Sequence, residues 1–170
     1  MSYDPDRHHR RSVRLWGYDY AQPGAYFVTV CTHEHKPTLG VLRSGSMRLS
    51  PAGEIALDAR VRIDEVNSHV ALDELFIMPD HLHGIILIRE DQAAAEKAAP
   101  TLGMLVGQFK THSARRINAA RGTRSQPVWQ RSYYEHIIRD DEDLARVRTY
   151  IANNRWRSGE HQPLGKIAPD

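Results

Sequence analysis

Two apolar runs around a polar centre constrain this chain more than any other feature. Leu75-Phe76-Ile77-Met78 and Gly84-Ile85-Ile86-Leu87-Ile88 flank Pro79-Asp80-His81-Leu82-His83. Runs of this length and β-branched content are strands. Pro79 cannot donate to a ladder, so the segment is either two strands meeting at a bend or one strand kinked at Pro79. The longest apolar run is itself only strand-sized, far from the roughly 18 residues a membrane span needs. Nor does an apolar segment follow Met1-Ser2-Tyr3-Asp4-Pro5-Asp6-Arg7, as a secretory signal would require. With Cys31 as the only cysteine, no intrachain disulfide framework exists. The chain has 170 residues, 41% hydrophobic and 26% charged, enough for one domain with a core of its own. A membrane protein, a disulfide scaffold and a fully disordered chain are excluded.

The remaining segments supply a mixed set of elements. Ala25-Tyr26-Phe27-Val28-Thr29-Val30-Cys31 follows Pro23-Gly24 and reads as a strand. Gly40-Val41-Leu42 and Ser46-Met47-Arg48-Leu49, around Arg43-Ser44-Gly45, read as a short hairpin. Ser50 before Pro51 gives N-cap and first-position chemistry to one helix, carried to about residue 68 by Ile55, Leu57, Ala59, Val61, Ile63 and Val66. Thr101-Leu102-Gly103 opens a second helix with Leu105, Val106, Phe109 and Ile117. Val128-Trp129-Gln130 is a short extended piece. Acidic residues 140–143 start a last helix, to about Arg157, with Leu144, Val147 and Ile151 on its buried stripe. The order predicts an α+β fold: a central antiparallel sheet with helices packed on one face. Residues 1–18 read as a basic arm, 19–158 as the domain and 159–170 as a polar tail, with an Ala/Glu/Gln-rich linker at 90–100.

Net charge is only +2, but it is segregated. From Lys97 to Tyr134 there is no Asp or Glu, while Lys110, Arg115, Arg116, Arg121, Arg124 and Arg131 all fall there. Arg10 and Arg11 belong to a second basic cluster in the arm. Such a pattern is either two solvated basic loops or a footprint for a polyanion such as nucleic acid.

His81-Leu82-His83 carries the most specific chemistry. Residues i and i+2 of a strand share a face, so the two imidazoles can converge on one cation while Leu82 points into the core. The plain alternative is two surface histidines at a bend. A second pair, His33-Glu34-His35, has a charged residue between its histidines and lies where the first strand runs out; it is the lesser candidate. On the last helix, Tyr150 and Asn154 are four residues apart and share a face. A phenol can be a nucleophile and an amide oxygen can ligate a hard metal. A Tyr at a stripe edge and an Asn near a helix end are otherwise rim and cap.

Together these segments resemble one family. Pro79-Asp80-His81-Leu82-His83-Gly84-Ile85-Ile86, then Trp129-Gln130-Arg131-Ser132-Tyr133-Tyr134-Glu135-His136-Ile137-Ile138-Arg139, then Tyr150-Ile151-Ala152-Asn153-Asn154 are similar to the single-tyrosine HUH transposases, and more narrowly to the REP-associated tyrosine transposases. Arg14-Leu15-Trp16-Gly17-Tyr18-Asp19-Tyr20 also looks like that family's start. The resemblance implies a ferredoxin-like sandwich with the histidines on a central antiparallel strand. It implies one Mg²⁺ or Mn²⁺ held by His81, His83 and Asn154, with Tyr150 as the nucleophile. The implied substrate is single-stranded DNA beside a hairpin, cleaved and rejoined through a 5′-phosphotyrosine. The basic residues named above, Arg10 and Arg11 included, would then track the DNA backbone, and Trp129, Tyr133 and Tyr134 are candidates for base stacking. Relatives outside the REP-associated group are often dimers, which points to a homodimer, and the resemblance implies a bacterial cytoplasmic, nucleoid-associated setting. Two other functions remain open: a catalytically inactive hairpin-binding regulator, for which Arg155 in place of a frequent Pro leaves room, and a replication-initiator-type nickase.

Overall fold

The computed structural model describes residue 15, residues 17–90 and residues 100–154. Its elements are β1 (Gly24–Cys31), a 3₁₀ turn (His33–His35), β2 (Gly40–Arg43), β3 (Ser46–Leu49), α1 (Pro51–Ala59), α2 (Val61–Val66), β4 (Val70–Ile77), β5 (His81–Ile88), α3 (Leu102–Ala120), β6 (Tyr134–Ile138) and α4 (Asp141–Asn154). Four strands form one antiparallel sheet in the order β4-β5-β1-β6, and β2 and β3 make a separate hairpin. With α1 and α2 between β1 and β4, and α3 between β5 and β6, this is the ferredoxin-like βαββαβ arrangement.

The bend at Pro79 is a turn between two strands. The Met78 amide donates to the His81 carbonyl at 2.8 Å, leaving Pro79 and Asp80 as the two turn residues. Proline's missing donor costs nothing there. The Ser50 cap forms as expected: its Oγ accepts from the Gly53 amide at 3.1 Å, and Pro51 opens α1. The single helix expected to residue 68 is instead two. Around Arg60 the hydrogen bonds tighten to three-residue spacing, from the Arg60 amide to the Leu57 carbonyl and from the Ile63 amide to the Arg60 carbonyl, which breaks the α-helical ladder.

Strand alternation sorts the core into two faces. Tyr26, Val28 and Val30 of β1 and Leu82, Ile86 and Ile88 of β5 pack beneath α1, α2 and α3, with Leu102, Leu105, Phe109 and Ile117. Phe27 of β1 and Ile85 of β5 point the other way, against Val147 and Ile151 of α4. The expectation of helices on one face therefore holds for α1, α2 and α3 but not for α4. The physical reason is that β1 and β5 are apolar at both parities, so the second face also needs a cover. Tyr18, expected in the arm, packs instead against the larger core, its hydroxyl 3.3 Å from that of Tyr26. The rest of the arm except Leu15 and Gly17, most of the linker and all of the tail lie outside the described residues.

Candidate active site beneath helix α4

β5 places His81 and His83 on the face that α4 covers. Both are buried, 6% and 3% exposed, and Leu82 between them points into the opposite core. The two Nε2 atoms are 3.0 Å apart. Each ring is held from behind. His81 Nδ1 lies 2.7 Å from Asp80 Oδ1, and His83 Nδ1 lies 2.9 Å from Thr29 Oγ1, on the residue paired with His83 across the ladder. An ionised carboxylate only accepts, so His81 Nδ1 is the donor of that pair and its Nε2 is turned toward His83. Phe27 stacks on His83, ring centroids 5.4 Å apart and planes at 25°.

This donor set suits a metal. Two imidazole nitrogens converge on one point, and each ring's other nitrogen has the orienting partner that metal-bound histidines typically have. Among the described residues no group of three or more His, Cys, Asp or Glu side chains could hold a metal. A third protein ligand from the described residues would be of another kind, such as the amide expected at Asn154. Asn154 is the last residue of α4, and its side chain lies outside what the structure describes.

Tyr150 reaches His83. Its ring centroid is 5.6 Å from that of His83 and 6.0 Å from that of Phe27, edge-on to both. α4 is fixed over the sheet at two points. Asp143, buried near its start, accepts from His136 Nε2 on β6 at 2.9 Å, and Arg148 binds Asp73. Asp73 is available because the β4–β5 register slips between Leu72 and Leu75. Burial raises the Asp143 carboxyl, but hydrogen bonds from His136, the Arg139 amide and Arg146 outweigh it and hold the group below its usual 3.8. The cap itself is Asp140, whose Oδ1 accepts from the Asp143 amide at 2.8 Å.

The expected DNA-contacting residues fare differently. Arg115, Arg121, Arg124 and Arg131 are exposed. Arg116 is exposed but paired with Asp58. Arg10 and Arg11 lie outside the described residues. Lys110 is not on a free polar face. Its Nζ donates to the carbonyls of Gln130 and Ser132, both at 2.9 Å, so it fastens α3 to the segment leading into β6. Burial pulls its ammonium down to about 8. Trp129 is a core residue, 8% exposed, its indole donating to Ser113 Oγ at 2.9 Å. The lesser histidine pair is close by: His35 Nδ1 lies 3.9 Å from Asp80 Oδ2, on the outer side of the carboxylate that holds His81. Sequence reasoning missed Asp80 and Thr29 as supports and gave His136 no role. The Asp-His dipeptide was the one available signal, since Thr29 and Asp143 meet their histidines only through strand pairing and the β6–α4 junction.

Comparisons with known proteins point to one family. Residues 60–154 match the model of the IS200-like transposases. A Haemophilus influenzae protein of uncharacterized function is 34% identical over 166 residues, covering 89% of this chain and 91% of that one. A second H. influenzae protein, named as a candidate REP-associated tyrosine transposase, is 34% identical over 87 residues; the match covers 49% of this chain and 48% of that one. Among solved structures, a REP-associated tyrosine transposase bound to a REP hairpin superposes with a TM-score of 0.58 at 18% identity, covering 84% of this chain and 72% of that one. A candidate transposase from Deinococcus radiodurans R1 gives 0.50 at 21% identity, covering 82% and 95%. The solved structures share the fold, and the family match takes in both histidines and the tyrosine helix: the chain belongs to the IS200-like transposases.

Proposed function

We propose that this transposase cleaves and rejoins single-stranded DNA beside a hairpin, with Tyr150 as the nucleophile. The observation that carries the reading is the Tyr150 ring edge-on to His83, whose Nε2 converges with that of His81. His81, His83 and Asn154 would hold one divalent ion. Two imidazoles and one amide oxygen favour Mn²⁺ over the harder Mg²⁺. When bound, the ion polarises the scissile phosphate and offsets charge developing in the transition state.

The chain's own groups do the rest. Asp80 and Thr29 fix the two rings through Nδ1, so neither ring needs to rotate for the reaction. Tyr150 attacks phosphorus in line. The phenolic oxygen–phosphorus bond forms as the bond to the 3′ oxygen breaks, and the proton lost by the phenol is balanced by one gained at the departing oxygen. The products are a 5′-phosphotyrosine and a free 3′-OH. A 3′-OH attacking the same phosphorus reverses the step and joins strands without ATP. Of the cations expected to meet the DNA backbone, Arg115, Arg121, Arg124 and Arg131 are exposed. The REP hairpin carried by the solved relative supports a hairpin partner here. On this reading the protein works as a homodimer on the bacterial chromosome, in the cytoplasm; among the described residues no helix is long and apolar enough to cross a membrane.

The test is a denaturing gel of the full chain incubated with Mn²⁺ and labelled hairpin oligonucleotides. Wild type is expected to form a covalent adduct that maps to Tyr150. Tyr150→Phe keeps the ring and is expected to bind DNA normally and form no adduct. An adduct that survives in Tyr150→Phe refutes the assignment.

A further inference from the structure

Tyr133 and Tyr134 are adjacent in sequence, and the extended chain sends them to opposite faces of the sheet. Tyr133 packs with the core beneath α3, the Lys110 Nζ 5.5 Å from its ring centroid. Tyr134 packs with Phe27, Ile85 and Tyr150 on the α4 side. In the ladders Tyr134 is paired with Thr29, and Thr29 on its other side is paired with His83. One row across the sheet therefore reads His83, Thr29, Tyr134, with Tyr150 descending from α4. Thr29 Oγ1 is engaged with His83 Nδ1. The Tyr134 hydroxyl takes no hydrogen-bond partner among the described residues.

We propose that Tyr134 is a substrate-touching residue of this centre, whose phenol donates a hydrogen bond to the phosphate that Tyr150 attacks. The proposal rests on Tyr150 being the nucleophile. The geometry gives the site two phenols with different duties: one arrives on a helix and forms the bond, the other is fixed on an edge strand and remains a donor. Burial, and then the nearby charge of Tyr150, push the Tyr134 phenol above its usual value. That favours the protonated, donating form. A phosphate oxygen is an acceptor only, so the match is complementary. Nothing covalent happens at Tyr134, and Tyr133, on the far side of the sheet, is excluded from the role.

The experiment measures single-turnover cleavage and hairpin affinity of the Mn²⁺-loaded full chain, comparing Tyr134→Phe, Tyr133→Phe and Tyr150→Phe. Tyr134→Phe is expected to slow cleavage about 10- to 100-fold, the usual worth of a hydrogen bond to a charged group. Its hairpin Kd stays within about twofold of wild type, which also reports that it is folded, and its residual adduct still maps to Tyr150. Tyr133→Phe cleaves at the wild-type rate. The proposal is overturned if Tyr134→Phe cleaves like wild type, if its loss is entirely in affinity, or if the adduct maps to Tyr134. A Tyr150→Phe protein that still forms an adduct at some residue other than Tyr134 overturns the nucleophile assignment instead, so the two failures are told apart.

Discussion

The two faces of the sheet are built from the same strands and do different work. Among the described residues, twenty buried ones lie in one apolar cluster beneath α1, α2 and α3, and five beneath α4. The larger face supplies most of the area removed from water, and hence most of the stability. The smaller face has room for polar side chains: His81, His83, Thr29 and Tyr134 share it with a helix held by the His136–Asp143 and Asp73–Arg148 pairs. A sheet whose folding is secured on one side can accept desolvated imidazoles on the other. Burying them costs free energy unless each finds a partner, and here each does.

If the faces are separable, substitutions on them should have separable readouts. The largest effect is expected from His83→Ala or His81→Ala. Each removes one of two converging imidazoles and should cut Mn²⁺-supported adduct formation by at least about 100-fold, with partial return as Mn²⁺ is raised. His33→Ala and His35→Ala should leave the adduct yield close to wild type. Gel quantitation against Mn²⁺ concentration decides, and a His33 or His35 variant as damaged as His83→Ala would relocate the site.

Next comes the opposite face. Leu105 is fully buried, and Leu105→Ala should cost about 2–5 kcal/mol by cavity formation, seen as a lower urea midpoint. Cleavage per folded molecule should be unchanged. A parallel loss of chemistry under conditions where the variant is folded would break the separation of faces.

The smallest effect concerns the clamp on α4. Because the Asp143 carboxyl is held below its usual 3.8, its contribution is present above that value and is lost as the pH falls through the lower, folded value. Urea midpoints should therefore begin to drop below about pH 4. Asp143→Asn should flatten that part of the profile, and an unchanged profile would remove Asp143 as the anchor.

Much of this was legible in the sequence, for local reasons. Ser50-Pro51 and Thr101 announce helix starts because each hydroxyl can accept from the amide three residues on, and both caps form. The alternation in His81-Leu82-His83 fixes which side chains share a face, whatever the strand pairs with. What was not legible depends on partners far along the chain. Val128-Trp129-Gln130 reads as the short extended piece, yet it contributes only an isolated bridge from Trp129 to Thr32, and the edge strand is β6. Glu135-His136 has little strand propensity of its own and is extended because β1 offers it a ladder. Missing β6 also hid the difference between Tyr133 and Tyr134. Lys110 sits in a basic, apparently solvent-facing pattern, and no local rule reveals that three carbonyls around residue 131 converge on its ammonium.

The two-residue turn at Pro79 and Asp80 has a consequence for how such a chain can change over generations. Adding or deleting one residue there would not merely shift the site along β5. It would swap parities, carrying both imidazoles into the larger core and Leu82 out beneath α4. A change of length is therefore better accommodated at places such as the Arg43-to-Ser46 hairpin tip, while the connection between β4 and β5 behaves as a reading frame, in which a single-step error displaces every side chain of β5.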